Sequence, residues 1–134
     1  MTRETDYAIR TVLYLSGREN YFAKAEDISK TMDIPKSFLR KILKQLEKQG
    51  LLRIKRGVSG GITLIKKPEE ITLYDTIIAV EKNVALNRCV VNKTVCRFSS
   101  QCPVHPVWFK LRDGLIKALK EINFSGLISQ GTVL

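Results

Sequence analysis

Between Pro35 and Gly50 the sequence PKSFLRKILKQLEKQG sorts its residues onto two faces of one helix. At about 100° per residue, Phe38, Leu39, Ile42, Leu43 and Leu46 fall together, while Lys36, Ser37, Arg40, Lys41, Lys44 and Lys48 fall on the opposite face. Pro35 suits the first position of a helix, and Gly50 suits a left-handed stop just past its end. Such a helix must bury one side against other elements and present a strongly basic side outward. Its flanks supply the packing partners. A shorter helix is expected from about Lys24 to Met32, with Ile28 turned inward and Met32-Asp33-Ile34-Pro35 as a tight turn. After Gly50, Leu51 to Arg56 and Ile62 to Ile65 read as two strands around the glycine-rich turn Gly57-Val58-Ser59-Gly60-Gly61. A phosphate-cradling loop would need Gly-Lys-Ser/Thr leading into a helix, and here a strand follows. Two helices, a short turn and a hairpin from about Lys24 to Ile62 therefore describe a winged helix-turn-helix.

Charge agrees with that reading. The chain carries a formal net charge of +10 over 134 residues. From Lys36 to Lys67 the basic residues are Lys36, Arg40, Lys41, Lys44, Lys48, Arg53, Lys55, Arg56, Lys66 and Lys67, and Glu47 is the lone acid. A footprint this local implies a polyanionic partner, with double-stranded DNA ahead of an anionic membrane. The length suits one compact domain with an appended helix and leaves little room for an enzyme cleft between two lobes. With 44% hydrophobic and 27% charged residues the chain can bury a core. No run of 18 apolar residues suggests a membrane span, and the N-terminus lacks a signal-peptide plan, so a cytoplasmic location is expected.

The rest of the chain predicts mostly helix. A first helix is expected from about Asp6 to Ser16, stopped by Gly17. Thr72 with Asp75 three residues later forms a capping-box pattern ahead of a helix from Leu73 to Glu81. Asn83 to Val104 shows no clear period. Pro106 opens a final helix to about Asn123, with Trp108, Leu111, Leu115, Leu119 and Ile122 in one stripe that serves either the core or a dimer contact. The expected fold is mainly α with a small β-hairpin. Residues 1–67 form the winged helix-turn-helix, and residues 68–134 hold a cysteine loop and a long C-terminal dimerisation helix.

Cys89, Cys96 and Cys102 are spaced C-x6-C-x5-C, and His105, the single histidine, follows three residues later. An odd number of cysteines argues against a self-contained disulfide framework and for reduced thiols. Three thiolates and an imidazole can hold zinc or an iron–sulfur cluster. Structural zinc sites use tighter C-x2-4-C knuckles, so the wider gaps favour a cluster. Unligated cysteines, or a thiol redox sensor, remain alternatives. Catalysis is disfavoured, because no acid/base constellation and no C-x-x-C pair accompany the thiols.

Taken together, the chain resembles the IscR/NsrR-type winged-helix transcriptional regulators, which sense iron–sulfur, iron or nitric oxide status. The resemblance rests on Thr5-Asp6-Tyr7-Ala8-Ile9-Arg10, on Ile34-Pro35-Lys36-Ser37-Phe38-Leu39 leading to Leu46 and Gly50-Leu51-Leu52, and on Arg56-Gly57-Val58-Ser59-Gly60-Gly61. It extends through Ile71-Thr72-Leu73-Tyr74-Asp75 and the three-cysteine loop. It implies a homodimer with crossing C-terminal helices, binding a pseudo-palindromic operator, most simply as a repressor. It implies Cys89, Cys96 and Cys102 as cluster ligands, with His105 as the fourth ligand of a 2Fe–2S cluster, or Asp6 of the partner subunit instead; 4Fe–4S is the alternative cluster. On the DNA side it implies Ser37 and Arg40 at base edges and Arg56 in the minor groove, with Ser59 and Gly60 beside it. Lys36, Lys41, Lys44, Lys48 and Lys55 would contact phosphate. Arg40 stands where the cluster-assembly branch often carries Glu, so the sequence read here differs. The rivals are a winged-helix regulator with zinc or with cluster-free redox thiols, and an interaction subunit whose basic face binds a protein or RNA.

Overall fold

The computed structural model describes residues 1–131, so residues 132–134 of the expected C-terminal region lie outside the described residues. Helix α1 (Arg3–Ser16) runs through the middle of the core, burying Ala8, Val12 and Leu15. It starts three residues before the expected Asp6, because the Thr2 hydroxyl caps it by accepting from the Thr5 N–H, and Glu4 and Asp6 complement the positive helix end. Two of its buried hydroxyls are satisfied within the helix, Thr11 donating to the Tyr7 carbonyl at 2.8 Å and Ser16 to the Val12 carbonyl at 2.7 Å.

Helices α2 (Ala25–Thr31) and α3 (Lys36–Lys48) follow with the expected turn between them. Asp33 adopts φ 51°, and Ser29 holds the corner by accepting the Ile34 N–H at its carbonyl and donating its hydroxyl to the Ile34 carbonyl. Pro35 is the N-cap, at φ −57° and ψ 134°, and so lies one residue outside α3. Gly50 takes φ 72°, as a left-handed stop requires. Leu39, Ile42, Leu43 and Leu46 are buried, whereas Phe38 is 39% exposed and meets the Tyr7 ring edge-on at 5.9 Å.

Strands β2 (Leu52–Lys55) and β3 (Gly61–Leu64) form the hairpin, with Leu52 opposite Leu64 and Lys55 opposite Gly61. A third strand, β1 (Phe22–Ala23), adds to the free side of β3 and makes an antiparallel sheet in the order β1-β3-β2. Two residues carry no periodicity, so sequence patterning did not reveal β1.

Helix α4 (Leu73–Glu81) begins with the expected reciprocal cap, Thr72 and Asp75 each accepting the other's backbone N–H. Helix α5 spans His105–Glu121, within two residues of the expected end at Asn123, and after a break at Ile122-Asn123 comes a further helix, α6 (Phe124–Gln130), that the sequence pattern does not predict. The break is held by backbone bonds from Leu73 to Ile122 and from Phe124 to Ile71, and Asn123 caps α6. Phe124 is fully buried in the core that holds α1, α3 and Ile71. Of the α5 stripe only Leu119 is buried; Leu111 and Ile122 are 48% and 39% exposed. Among the described residues, no helix is long and apolar enough to cross a membrane.

Candidate nucleic-acid interface and cysteine loop

A cleft opens between α2, α3 and the hairpin, floored by Leu39, Leu43, Ile54 and Ile62. Lys36, Arg40 and Lys44, each one turn apart on α3, line one wall, and Arg56 faces them from the hairpin. Ser37, Lys41, Lys48, Lys55 and Ser59 are exposed as well. Gly60 is buried: its N–H bonds the Gly57 carbonyl at 3.0 Å, and a Cβ there would collide with the Lys55 carbonyl. Of the lysines, Lys41 pairs with Glu4 of α1 at 2.7 Å and Lys36 with Glu26 of α2 at 3.3 Å. The Lys36 ammonium, by hydrogen bond and charge, holds the Glu26 carboxyl below the usual carboxylate range, and Lys30 adds to this. Both pairs are exposed, so they contribute little stability and can exchange for phosphate.

The cysteines sit in a segment built from small turns. Cys89 lies in a 3-10 turn (Arg88–Val90) and Cys96 follows another (Lys93–Val95), each preceded by an asparagine whose side chain accepts a nearby N–H. Cys102 accepts from the His105 N–H at the start of α5. Cys96, Cys102 and His105 line one cleft with Lys93 and Arg97. Cys89 is not among its lining residues, and no group of three or more metal-ligating side chains is gathered among the described residues. All three thiols are free and half-buried. His105 is only 9% exposed, its ring edge-on to Phe109 at 4.9 Å, and its Nδ1 has no hydrogen-bond partner. Between Glu81 and Asp113 the chain has no acid, but it has Lys82, Arg88, Lys93, Arg97, Lys110 and Arg112. The donor chemistry therefore fits an anionic thiolate-ligated group: soft ligands, an unsatisfied buried imidazole nitrogen and surrounding positive charge. Asp6, the other fourth-ligand candidate, is ion-paired with Arg10 at 2.7 Å, and Arg10 also donates to the Met32 carbonyl.

Residues 1–130 match the family described as "Rrf2: Iron-dependent Transcriptional regulator". The chain belongs to the Rrf2 family. It is 30% identical over 135 residues to the HTH-type transcriptional regulator IscR of Cronobacter sakazakii, covering 100% of this chain and 83% of that one. It is 27% identical over 130 residues to the HTH-type transcriptional regulator NsrR of Shouchella clausii, covering 96% and 87%. Its fold is similar to that of CymR, the global cysteine regulator of B. subtilis, with TM-score 0.78 at 19% identity over 98% of this chain and 97% of that one. The protein is thus a DNA-binding transcriptional regulator of the Rrf2 family and not an enzyme.

Three features of this Rrf2 chain escaped sequence reading. Lys24, at the N-cap of α2, reaches the hairpin tip and donates to the Val58 carbonyl at 3.1 Å. Glu47 accepts the Ile54 N–H at 2.8 Å. Glu81, at the end of α4, accepts from the Thr2 N–H and the Thr5 hydroxyl, joining α4 to the first turn of α1. Burial disfavours its charge, but the Thr5 and Thr2 hydrogen bonds outweigh that and hold its carboxyl below the usual range. No signal in one sequence pairs residues that lie 76 or more positions apart.

Proposed function

We propose that this chain is a cytoplasmic, homodimeric repressor whose affinity for a pseudo-palindromic operator is set by an iron–sulfur cluster, held by Cys89, Cys96, Cys102 and His105. The observation that carries this is His105. A buried imidazole nitrogen without a partner costs on the order of 1–3 kcal/mol, and ligation is the natural way to satisfy it beside two thiols. The mixed Cys/His set favours 2Fe–2S over 4Fe–4S. His105 is preferred to Asp6 of the partner subunit because its buried, unpartnered Nδ1 lies in the cleft that Cys96 and Cys102 also line. When bound, the cluster supplies a labile, redox-active centre whose loss or damage reports iron, redox or nitric oxide status.

On the output side, Ser37 and Arg40 read base edges in the major groove and Arg56 enters the minor groove. Lys36, Lys41, Lys44, Lys48 and Lys55 neutralise phosphates, which gives a steep dependence on salt. Ser59 lies at the wing turn, and Gly60 closes it. A second copy has a surface to cover, since Val104, Val107 and Leu111 at the start of α5 are 46%, 51% and 48% exposed in one chain.

The half-exposed, unpaired thiols favour one second reading, a cluster-free thiol switch or zinc site. Anaerobic purification separates the two. The cluster reading expects coloured protein containing iron and sulfide in stoichiometric amounts. Colourless protein that takes up one zinc after anaerobic reconstitution would sink it. His105→Ala is expected to change the visible spectrum, and Asp6→Ala to leave it unchanged, in variants of equal thermal stability.

A further inference from the structure

The lone acid of the basic segment stands in the wrong place for a phosphate-binding wall. Glu47 lines the cleft beside Arg40, Lys44 and Arg56, where a carboxylate repels DNA. Its geometry supplies a reason for its presence. Strand β2 is an edge of the sheet, and Glu47 on the last turn of α3 accepts the Ile54 N–H on that open edge. At the hairpin tip, the ammonium of Lys24 binds the carbonyl of Val58, a residue that is 96% exposed. The wing is thus clasped twice, to α3 through the open edge of β2 and to the start of α2 at its tip.

We infer that Glu47 and Lys24 are positioning residues: together they set the angle of the wing to α3, so that Arg40 and Arg56 reach their base pairs in the same register. This rests on the DNA-reading roles proposed above. A hairpin tip with Gly57 at φ 102° is compliant by itself, and an arginine on a compliant tip gives up much of its binding energy to ordering. The repulsion from the Glu47 charge is the penalty for a wing that arrives pre-oriented.

The test uses the full chain and a duplex selected from random sequence by the wild-type protein. The measurements are affinity as a function of salt, hydroxyl-radical footprinting, and hydrogen exchange at Ile54 without DNA. Glu47→Gln keeps an oxygen acceptor and is expected to retain Ile54 protection and to bind within about twofold of wild type. Glu47→Ala is expected to lose the Ile54 protection and about tenfold in affinity, with the minor-groove footprint of the wing fading while the α3 footprint persists. Its salt slope should stay unchanged. Lys24→Ala should give a smaller loss of the same pattern, reversed by Lys24→Arg. Unchanged Ile54 exchange in Glu47→Ala would overturn the clasp whatever the DNA result. So would tighter binding by both Glu47 variants, since the carboxylate would then act only as a charge. A salt slope reduced by about one in Lys24→Ala would make Lys24 a phosphate ligand and remove it from the clasp.

Discussion

The α3–wing unit and the cysteine loop are held in shape by different means. In the first, Leu39, Ile42, Leu43, Leu46, Leu52, Ile62 and Leu64 are all nearly fully buried, and the sheet is pinned on both sides, by β1 and by the Glu47 contact. In the second, Val84 and Val90 are buried, whereas Leu86, Val91, Val95 and Phe98 are 44% to 58% exposed, and most bonds span two to four residues. A region that buries a contiguous core has one shape and can read a fixed array of bases. A region of small turns reshapes at low free-energy cost, so a ligand or a second subunit can change it. The α3–wing unit is preorganised, and the cysteine loop is adaptable.

Replacing Cys89, Cys96 or Cys102 with Ala should abolish iron and sulfide content, while the melting temperature of the apo-protein stays within about 2 °C of wild type, since none of these thiols lies in the core. A cysteine variant that unfolds would show the loop to be structural. In the α3–wing unit, Arg40→Ala and Arg56→Ala should each weaken operator binding by about 10- to 100-fold and relax sequence selectivity. Lys44→Ala should weaken all duplexes alike and lower the salt slope by about one, as titrations from low to high salt would show.

Gly60→Ala tests the wing turn itself. The collision with the Lys55 carbonyl must distort the wing turn, so a destabilisation of about 1–3 kcal/mol and loss of minor-groove protection are expected, with cluster content intact. The smallest effect concerns acid. The Glu81 carboxyl is held below its ordinary value of 4.5, so its contribution is fully present above that pH and is lost as pH falls through the lower folded value. Glu81→Gln should flatten the acid limb of the stability curve and leave its slope at pH 7 to 9 the same as in wild type.

How far the sequence revealed this follows the same division. Periodicity gave α3, α4 and the hairpin nearly to the residue, because their amphipathic patterns and caps are local: Thr72 with Asp75, and Gly50 with its positive φ. It missed β1, too short to have a period, and α6, hidden because the stripe of α5 runs on through Ile122. The cysteines and His105 stood out by spacing. That Cys96, Cys102 and His105 share a cleft which Cys89 does not line depends on turn geometry that spacing does not encode. Lys24, Glu47 and Glu81 took on their roles only when distant segments came together, and in the sequence each is an ordinary surface charge.

The proposed function makes the cysteine loop the control on DNA binding by α3 and the wing. It is tested most directly by measuring operator affinity of one anaerobic preparation before and after removal of its iron by a chelator, at fixed salt, with retained helicity confirmed. A change in Kd of tenfold or more, reversed on reconstitution with iron and sulfide and absent in a Cys96→Ala variant, is the predicted result. Equal affinity with and without iron would contradict it.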